Sequence, residues 1–404
     1  MTAIPDPDAV VIGDLNLLRP VAAAGLRSIV ICFDSRTRHS RYCRASFELS
    51  SPVVDMERSV RELCDLGSSL QTRPVLYYSN DAQLLMVSRH REELGRYFRF
   101  LMPAPELIEG MVDKAHFHDL AVQHQFPTPR SLLCRAHDTA AIESPWGFPC
   151  VVKPVTRVGW YEAKLTGNVP HKVLKADTQH ELTRAVSVMR ARRLDFMLQE
   201  FVGGGDDQIC SFHAYFDRSS EPLAWFVGRK VRTYPLDTGK STCLQLAVEP
   251  EVANVAITCL RSIGFQGVVK VDFKKDPRTG RLYLLEINPR FNIWHYLGAV
   301  SGVNLPQVAH QYLQGSWTGV RPTYRVGRFW ISQQLDLLST LSAVRQGRLQ
   351  LGKWLRSYLG PKVYNTFAWT DPAPAFFVAV SFPARYLRRR RPVPRSGKPS
   401  LSPE

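Results

Sequence analysis

The sequence of 404 residues lacks the cysteine and histidine arrangements that build structural metal sites. Its eight cysteines are scattered, with no C-x-x-C pair and no neighbouring pair of histidines. They predict reduced, mostly buried thiols rather than a disulfide framework or a zinc site. The motifs G-x-S-x-G and H-E-x-x-H are also absent, which argues against a serine hydrolase with a nucleophile elbow and against a zinc protease.

Long apolar runs are missing too, since none approaches the roughly 20 residues that cross a bilayer. The first residues, 1–8, contain no basic region and lead directly into the strand-like segment 9–13, which argues against a secretory signal. Hydrophobic content of 45% and charged content of 22% are ordinary for a soluble globular protein. We therefore expect a cytoplasmic protein of about two or three domains.

The formal net charge of +16 is concentrated at the C-terminus. Seven cations follow the apolar stretch 373–382, namely Arg385, Arg388, Arg389, Arg390, Arg391, Arg395 and Lys398. An apolar segment beside a polybasic run suits the anionic inner face of a membrane, with contact through residues 373–398. An inert solvated tail is an equal alternative. Nucleic acid ranks last as a partner, because no nucleic-acid-binding motif accompanies the charge.

Strand and helix patterns alternate over the first hundred residues, which predicts a parallel sheet with helices on both faces. Asn16 and Asp81 follow two of these strands. Polar residues at such positions line a ligand crevice or cap the next helix. After a proline-rich boundary at 103–105, the chain alternates strands, a helix at 177–192 and longer strands.

The most informative segments are Lys270-Val-Asp272-Phe and Leu284-Leu-Glu286-Ile-Asn288-Pro-Arg290-Phe, joined by Asp-Pro-Arg-Thr-Gly. The turn chemistry predicts a β-hairpin. With Thr279 at its centre, Asp272 lies opposite Glu286 and Lys270 opposite Asn288, all on one face. Two facing carboxylates repel each other, and Mg²⁺ bound between them and a substrate phosphate removes the repulsion. The alternative is an exposed hairpin with solvated acids.

Upstream segments supply the other groups that a nucleoside triphosphate needs. Lys114 and Lys153 are candidates for the phosphates, and Lys153 ends an apolar strand as Lys-Pro. The backbone of Glu200, Phe201 and Val202 can hydrogen-bond the edge of an adenine, and Asp207 can accept from the ribose. Each has an ordinary structural alternative, such as a solvated lysine or a plain glycine turn.

These segments together resemble the ATP-grasp superfamily, in particular the carboxylate–amine ligase group that includes proteins like D-aspartate ligase. The resemblance covers residues 10–316. It implies a Rossmann-like domain at 1–105 and a two-subdomain ATP-grasp fold at 106–320, divided at 195/196. A small C-terminal extension at 321–391 and a disordered tail at 392–404 complete the α/β and α+β architecture. Family members often carry a glycine-rich loop over the phosphates, whereas residues 157–161 contain only Gly159.

By resemblance, ATP binds with two Mg²⁺ ions, with Mn²⁺ as a substitute, and the metal ligands are Asp272, Glu286 and Asn288. The resemblance places Arg290 at the transferred phosphoryl group. Lys270 supplies further positive charge, and Arg229, Lys230 or Arg232 is a candidate for binding the substrate carboxylate. His295 accepts the amine proton or is structural. The function implied is amide formation between a small carboxylate and an amine, on an amino acid or a cell-envelope or polysaccharide precursor, through an acylphosphate. A kinase or phosphotransferase and a non-catalytic nucleotide-binding regulator are the alternatives.

Overall fold

The computed structural model describes residues 6–32, 35–155, 173–237 and 239–389, with the backbone alone for 382–389. The glycine-poor loop 157–161 and the predicted tail 392–404 lie outside these ranges, as do the last four cations of the basic run.

A four-stranded parallel sheet forms the N-terminal part, in the order β3-β2-β1-β4. Its strands are β1 (Ala9–Ile12), β2 (Ser28–Ile31), β3 (Ala45–Phe47) and β4 (Val75–Tyr78). The helices between and after them are α1 (Leu15–Ala23), α2 (Ser35–Arg38), α3 (Met56–Ser68), α4 (Asp81–Arg89) and α5 (Arg91–Leu94). Because β1, β2 and β4 are buried along their whole length, they are apolar apart from Ser28 rather than alternating. The predicted parallel sheet is confirmed.

Asn16 and Asp81, the polar residues that follow β1 and β4, have different environments. Asn16 is fully buried, donates to Asn365 Oδ1 at 2.7 Å and accepts from Trp330 Nε1 at 2.8 Å. It therefore joins the C-terminal extension to the sheet and lines no open crevice. The helix caps are the neighbouring Asp14 and Asn80.

A second, antiparallel sheet follows α6 (Pro105–Val112) and α7 (Lys114–Gln123), in the order β5-β8-β6-β7. Its strands are β5 (Ser131–Cys134), β6 (Cys150–Pro154), β7 (Leu174–Ala176) and β8 (Phe196–Glu200). Helix α8 (Gln179–Ala191) packs Leu182 and Met189 against Val152 and Leu198 of this sheet. Since β8 pairs with β5 and β6, this sheet runs five residues past the subdomain division proposed at 195/196.

A seven-stranded sheet in the order β13-β12-β9-β10-β11-β14-β15 carries the predicted hairpin. Its strands are β9 (Ile209–Phe216), β10 (Pro222–Tyr234), β11 (Lys240–Leu246), β12 (Gly267–Lys275), β13 (Leu282–Asn288), β14 (Phe329–Ile331) and β15 (Lys362–Tyr364). All pairings are antiparallel except β14 with β15. Helices α9 (Pro250–Ser262), α10 (Trp294–Val300) and α11 (Leu305–Leu313) accompany the sheet.

The C-terminal extension contributes α12 (Gln333–Arg345), α13 (Leu351–Leu359) and α14 (Ala373–Arg389). It is joined to the rest of the chain, because β14 and β15 complete the large sheet. A buried ion pair between Arg19 Nε and Asp371 Oδ2, 3.1 Å apart, ties it to the N-terminal sheet. Across the described ranges, none of the helices combines the length and apolar character that a bilayer crossing requires.

Residues of the N-terminal and seven-stranded sheets share one core. Leu76 and Tyr78 of β4 belong to the same buried cluster as Phe212, Val271 and Ile287. This packing places the carboxyl end of β4 beside the end of the β12–β13 hairpin, where ligands bind in open α/β sheets.

Candidate functional site

The β12–β13 hairpin has the predicted register. Lys270 pairs with Asn288, and Asp272 pairs with Glu286. The turn itself is centred half a residue earlier than Thr279, since Asp276 N donates to Arg281 O at 2.9 Å. The predicted pairs nevertheless form, because a β-bulge lies between Asp272 and Phe273. At this bulge the partner residue changes from Glu286 to Leu284, which shifts the register by one residue.

Asp272 is the centre of a buried charge cluster. Its Oδ2 accepts from Lys270 Nζ at 2.7 Å and from Lys230 Nζ at 3.2 Å, and its Oδ1 accepts from the Ser211 hydroxyl. Burial raises the pKa of a carboxyl, but the two ammonium groups lower the pKa of Asp272 well below its ordinary value. Burial lowers the pKa of Lys230, yet Asp272 and Glu286 together raise it above the ordinary value. Asp272 is therefore ionised and Lys230 is charged.

The donors present fit a hard divalent cation. The Lys270 ammonium lies 2.7 Å from Asp272 and 3.9 Å from Glu286, so a positive charge already bridges the two carboxylates. No group of three His, Cys, Asp or Glu side chains within the described ranges is placed to hold a metal. The third donor of this set is an amide, Asn288. It is buried, and its Nδ2 has no hydrogen-bond partner among the described residues. Its Oδ1 is the atom that could serve as an oxygen ligand.

Arg290 joins the hairpin to the N-terminal sheet. Its Nε donates to Asp81, its Nη1 donates to Ser79 O at 3.2 Å, and its Nη2 donates to Asn288 Oδ1 at 3.3 Å. Asp81, which follows β4, thus reaches the site across the domain boundary. The arginine is held in place by these contacts and its side chain is 15% exposed.

The two predicted phosphate lysines lie close together, Lys153 on β6 of the second sheet and Lys114 at the start of α7. Lys114 Nζ donates to Pro154 O at 2.7 Å, one residue after Lys153. Lys153 Nζ donates to Gln199 Oε1 at 3.0 Å. Burial lowers the pKa of Lys153 to about 8, and the charge of Glu286 on the hairpin opposes this effect. Lys153 is therefore within electrostatic range of a carboxylate of the other sheet.

Gln199 is a site residue that the sequence analysis missed. It lies on β8 next to Glu200 and shares a sheet face with Lys153, and its Nε2 donates to Ser131 Oγ at 2.6 Å. Alternation along the strand predicts that Gln199 shares the face of Lys153, because the side chain of Glu200 must point to the opposite face. There Glu200 accepts from Arg130 N at 2.9 Å and Arg130 Nε at 2.7 Å and lines a cavity of about 320 Å³ with Trp146.

The segment after Glu200 passes between the two sheets. The Phe201 ring lies 5.0 Å from Lys175 Nζ of β7 and 5.1 Å from Lys274 Nζ of β12. Val202 is buried. The Phe201 ring thus makes cation–π contacts with both the second sheet and the hairpin.

Of the two acids after the glycines, Asp206 faces inward. It is largely buried and accepts from Thr233 Oγ1 at 2.7 Å, and burial raises its pKa. Asp207, the predicted ribose acceptor, is 46% exposed and lies 3.4 Å from Lys353 Nζ. The ribose assignment stays a prediction, and Asp206 is its neighbouring candidate.

Each cation of β10 is paired with a carboxylate of the chain. Arg229 pairs with Glu249, Lys230 with Asp272, and Arg232 with Asp336. The Arg232 guanidinium donates to both oxygens of Asp336 at 2.8 and 2.7 Å. These pairs compete with the predicted binding of a substrate carboxylate, and for Arg232 they favour a structural role.

His295 lies fully buried among the rings of Phe226, Phe291 and His213. Burial lowers its pKa to about 3, and Arg290 adds to this effect. Such a group is a poor proton acceptor at neutral pH, so the structural interpretation of His295 is favoured over the catalytic one.

None of the eight cysteines forms a disulfide; four are buried and four are half-buried. Cys150 begins the strand that carries Lys153, and Cys210 of β9 pairs with Phe273 of the hairpin.

Residues 221–330 match the family model described as ATP-grasp in the biosynthetic pathway with Ter operon. The D-aspartate ligase of Enterococcus faecium (strain Aus0004) is 22% identical over 258 residues, which are 62% of this chain. The match covers 61% of that relative, less than two thirds of its length.

Solved structures share the fold. An L-amino acid ligase from Bacillus licheniformis superposes with a TM-score of 0.57 at 15% identity, covering 80% of this chain and 77% of the ligase. The biotin carboxylase domain of the Hydrogenobacter thermophilus 2-oxoglutarate carboxylase, in complex with MgADP, ADP and bicarbonate, gives 0.58 at 16% identity, with 81% and 74% covered. The predicted fold class and resemblance are confirmed.

Proposed function

We propose that the chain is an ATP-grasp enzyme and, from the geometry of its cleft, an ATP-dependent carboxylate–amine ligase; its similarity to the relatives above supports this. One observation carries the proposal. Asp272, Glu286, Lys270 and Asn288 share one face of a hairpin, and Glu286 acts on the pKa of Lys153 across the cleft. Two carboxylates and an amide with neighbouring cations are the groups that a metal–triphosphate requires, and this supports the proposal.

Each group then has a role. Lys114 and Lys153 bind the phosphates, and the backbone from Glu200 to Val202 holds the adenine. Asp207 or its neighbour Asp206 accepts from the ribose. Asp272, Glu286 and Asn288 hold Mg²⁺, one or two ions, with Mn²⁺ as a substitute. When bound, the metal neutralises charge on the phosphates and orients them.

The reaction proceeds in two steps. A substrate carboxylate oxygen attacks the γ-phosphorus, the bond to the β–γ bridging oxygen breaks, and ADP leaves. The amine then attacks the acyl carbon of the acylphosphate, and inorganic phosphate leaves with formation of an amide. Arg290 and Lys270 stabilise charge on the transferred group, and most of the catalysis is positioning and charge neutralisation. The names of the relatives support an amino acid as one substrate.

We expect phosphate release from Mg·ATP only when a carboxylate and an amine are both supplied. Pairwise screening of amino acids, with release of ADP and phosphate measured, tests this. Hydroxylamine in place of the amine should trap the acylphosphate as a hydroxamate. ADP release with a hydroxyl acceptor alone would support a phosphotransferase instead, and nucleotide binding without any turnover would support a regulatory protein.

Nucleotide binding should take up a proton near pH 8. Lys153 has a pKa of about 8 in the free protein, and a bound triphosphate favours its charged form and raises that pKa. Affinity is therefore full below pH 8 and is lost as the pH rises through the pKa of the complex. Calorimetry at pH 8 in buffers of different ionisation enthalpy measures the uptake.

The Lys153→Arg variant is the matched control, because a guanidinium stays protonated throughout this range. It should bind nucleotide without proton uptake. Equal proton uptake by the two proteins would contradict the proposed contact between Lys153 and the phosphates.

A further inference from the structure

Helices α12 and α13 form an antiparallel hairpin whose inner side is polar. Asp336 of α12 accepts from the Tyr358 hydroxyl of α13 at 2.7 Å, and Trp354 Nε1 donates to Thr340 Oγ1 at 3.2 Å. The side chains that the hairpin buries completely include Asp336, Ser339 and Ser357.

The outer side of the same hairpin is apolar. Its residues follow helical spacing, i, i+4 and i+7 or i+8, and so form one stripe along each helix. They are exposed by 40–80%, and they are Leu337, Leu338, Leu341 and Val344 on α12 and Leu351, Leu355 and Leu359 on α13. A surface helix normally turns its apolar side to the core, and large exposed apolar patches mark interaction surfaces. In this hairpin the arrangement is reversed, because the polar side faces the protein and the apolar side faces solvent.

The charge around this stripe has one sign. Residues 333–391 contain ten Lys and Arg but only two acids, Asp336 and Asp371. Both acids are fully buried in ion pairs with Arg232 and Arg19. The exposed cations on and between the two helices are Arg345, Arg348, Lys353 and Arg356. The outward charge of the hairpin is therefore positive, apart from acids of other elements that reach it.

Among the described residues, two such acids pair with cations of the hairpin. Arg348 pairs with Asp237 at 2.8 Å, and Lys353 lies 3.4 Å from Asp207. Neither Asp237 nor Asp207 pairs with Arg345 or Arg356.

We propose that the outer face of the α12–α13 hairpin docks on an anionic lipid surface. Aliphatic side chains between cations match the acyl–headgroup boundary of such a membrane, where apolar burial and attraction to lipid phosphates add. A second copy of the chain is the weaker occupant, because two faces with exposed cations repel each other. This inference does not depend on ligase activity.

The test is co-sedimentation of the full chain with vesicles of phosphatidylcholine alone and with vesicles that also contain phosphatidylglycerol. The chain should sediment with the anionic vesicles, and high salt should weaken but not abolish binding. The double variant Leu341→Ser, Leu355→Ser should lose about tenfold in vesicle affinity, since it removes two buried aliphatic contacts. Its thermal midpoint should be unchanged, because both side chains are partly exposed.

The matched control is Val53→Ser, Val54→Ser, which removes two side chains 78% and 86% exposed on the N-terminal part. It should bind vesicles like the parent. The proposal fails if the parent binds neither vesicle, or if both double variants bind alike. It fails also if light scattering shows a dimer that the hairpin variant dissociates, or if deletion of residues 390–404 alone abolishes vesicle binding.

Discussion

Replacing Glu286 by Gln is expected to lower Mg·ATP-dependent phosphate release by roughly 10²–10³-fold, as for loss of one preorganised charged group in an active site. The carboxylate is the exposed member of the proposed metal set, with its side chain 46% exposed. Glutamine keeps the size of the side chain and removes the charge that faces the cation. The fold should stay intact, because substitutions at such positions change stability by about 0.5 kcal/mol or less. Phosphate release and the circular dichroism melting curve are the two measurements.

Glu251→Gln is the matched control for this experiment. Glu251 pairs with Lys275 at 2.7 Å, a lysine of the same strand as Asp272, but both side chains are about half exposed. Its variant should retain full activity. Unchanged phosphate release in Glu286→Gln would refute the metal assignment. Asp272 is less suitable, because its removal leaves Lys230 and Lys270 buried without their shared partner and destabilises the protein as well.

Replacing Arg232 by Gln is expected to lower the free energy of unfolding by about 3–5 kcal/mol, the usual cost of breaking a buried ion pair. Asp336 is fully buried, and it also accepts from Thr242 Oγ1 and the Tyr358 hydroxyl, each at 2.7 Å. Without the guanidinium its negative charge has only neutral donors. Urea unfolding followed by circular dichroism measures the loss, and activity is measured at low temperature, where the variant is folded.

Arg229→Gln, on the same strand, is the control. Arg229 pairs with Glu249, but the arginine side chain is 44% exposed, so this pair contributes about 1 kcal/mol or less. A stable Arg232→Gln protein that had lost turnover would instead support the catalytic role that its sequence position suggested.

The hairpin was predictable because its information is local. Alternating side chains and an Asp-Pro-x-x-Gly turn fix which residues face each other within 20 positions of the chain. The position of the bulge after Asp272 was not predictable, since one extra residue leaves no mark in the apolar pattern. Lys153 was recognised for a similar reason, as the polar end of a short buried strand.

Contacts between distant segments escaped the sequence analysis. Asp81 and Arg290 are 209 positions apart, and Asp336 and Arg232 are 104 apart. Neither pair has a spacing that a local period could reveal. Helix α12 buries Asp336, Ser339 and Ala343, whereas Leu337, Leu338 and Leu341 are exposed. A helix that buries an ion-pair network lacks the usual amphipathic pattern, in which apolar residues mark the side that faces the core.

The position of a divalent cation in the cleft decides between the nucleotide-metal site and a purely structural charge cluster. Crystals grown with Mn²⁺ and a non-hydrolysable ATP analogue allow that position to be located by anomalous scattering. The account predicts a peak within about 2.0–2.3 Å of oxygens of Glu286 and Asn288 or Asp272, with the triphosphate between it and Lys153. A nucleotide bound elsewhere, or a cleft in which the Lys270 ammonium still bridges Asp272 and Glu286 and no peak is seen, would contradict it.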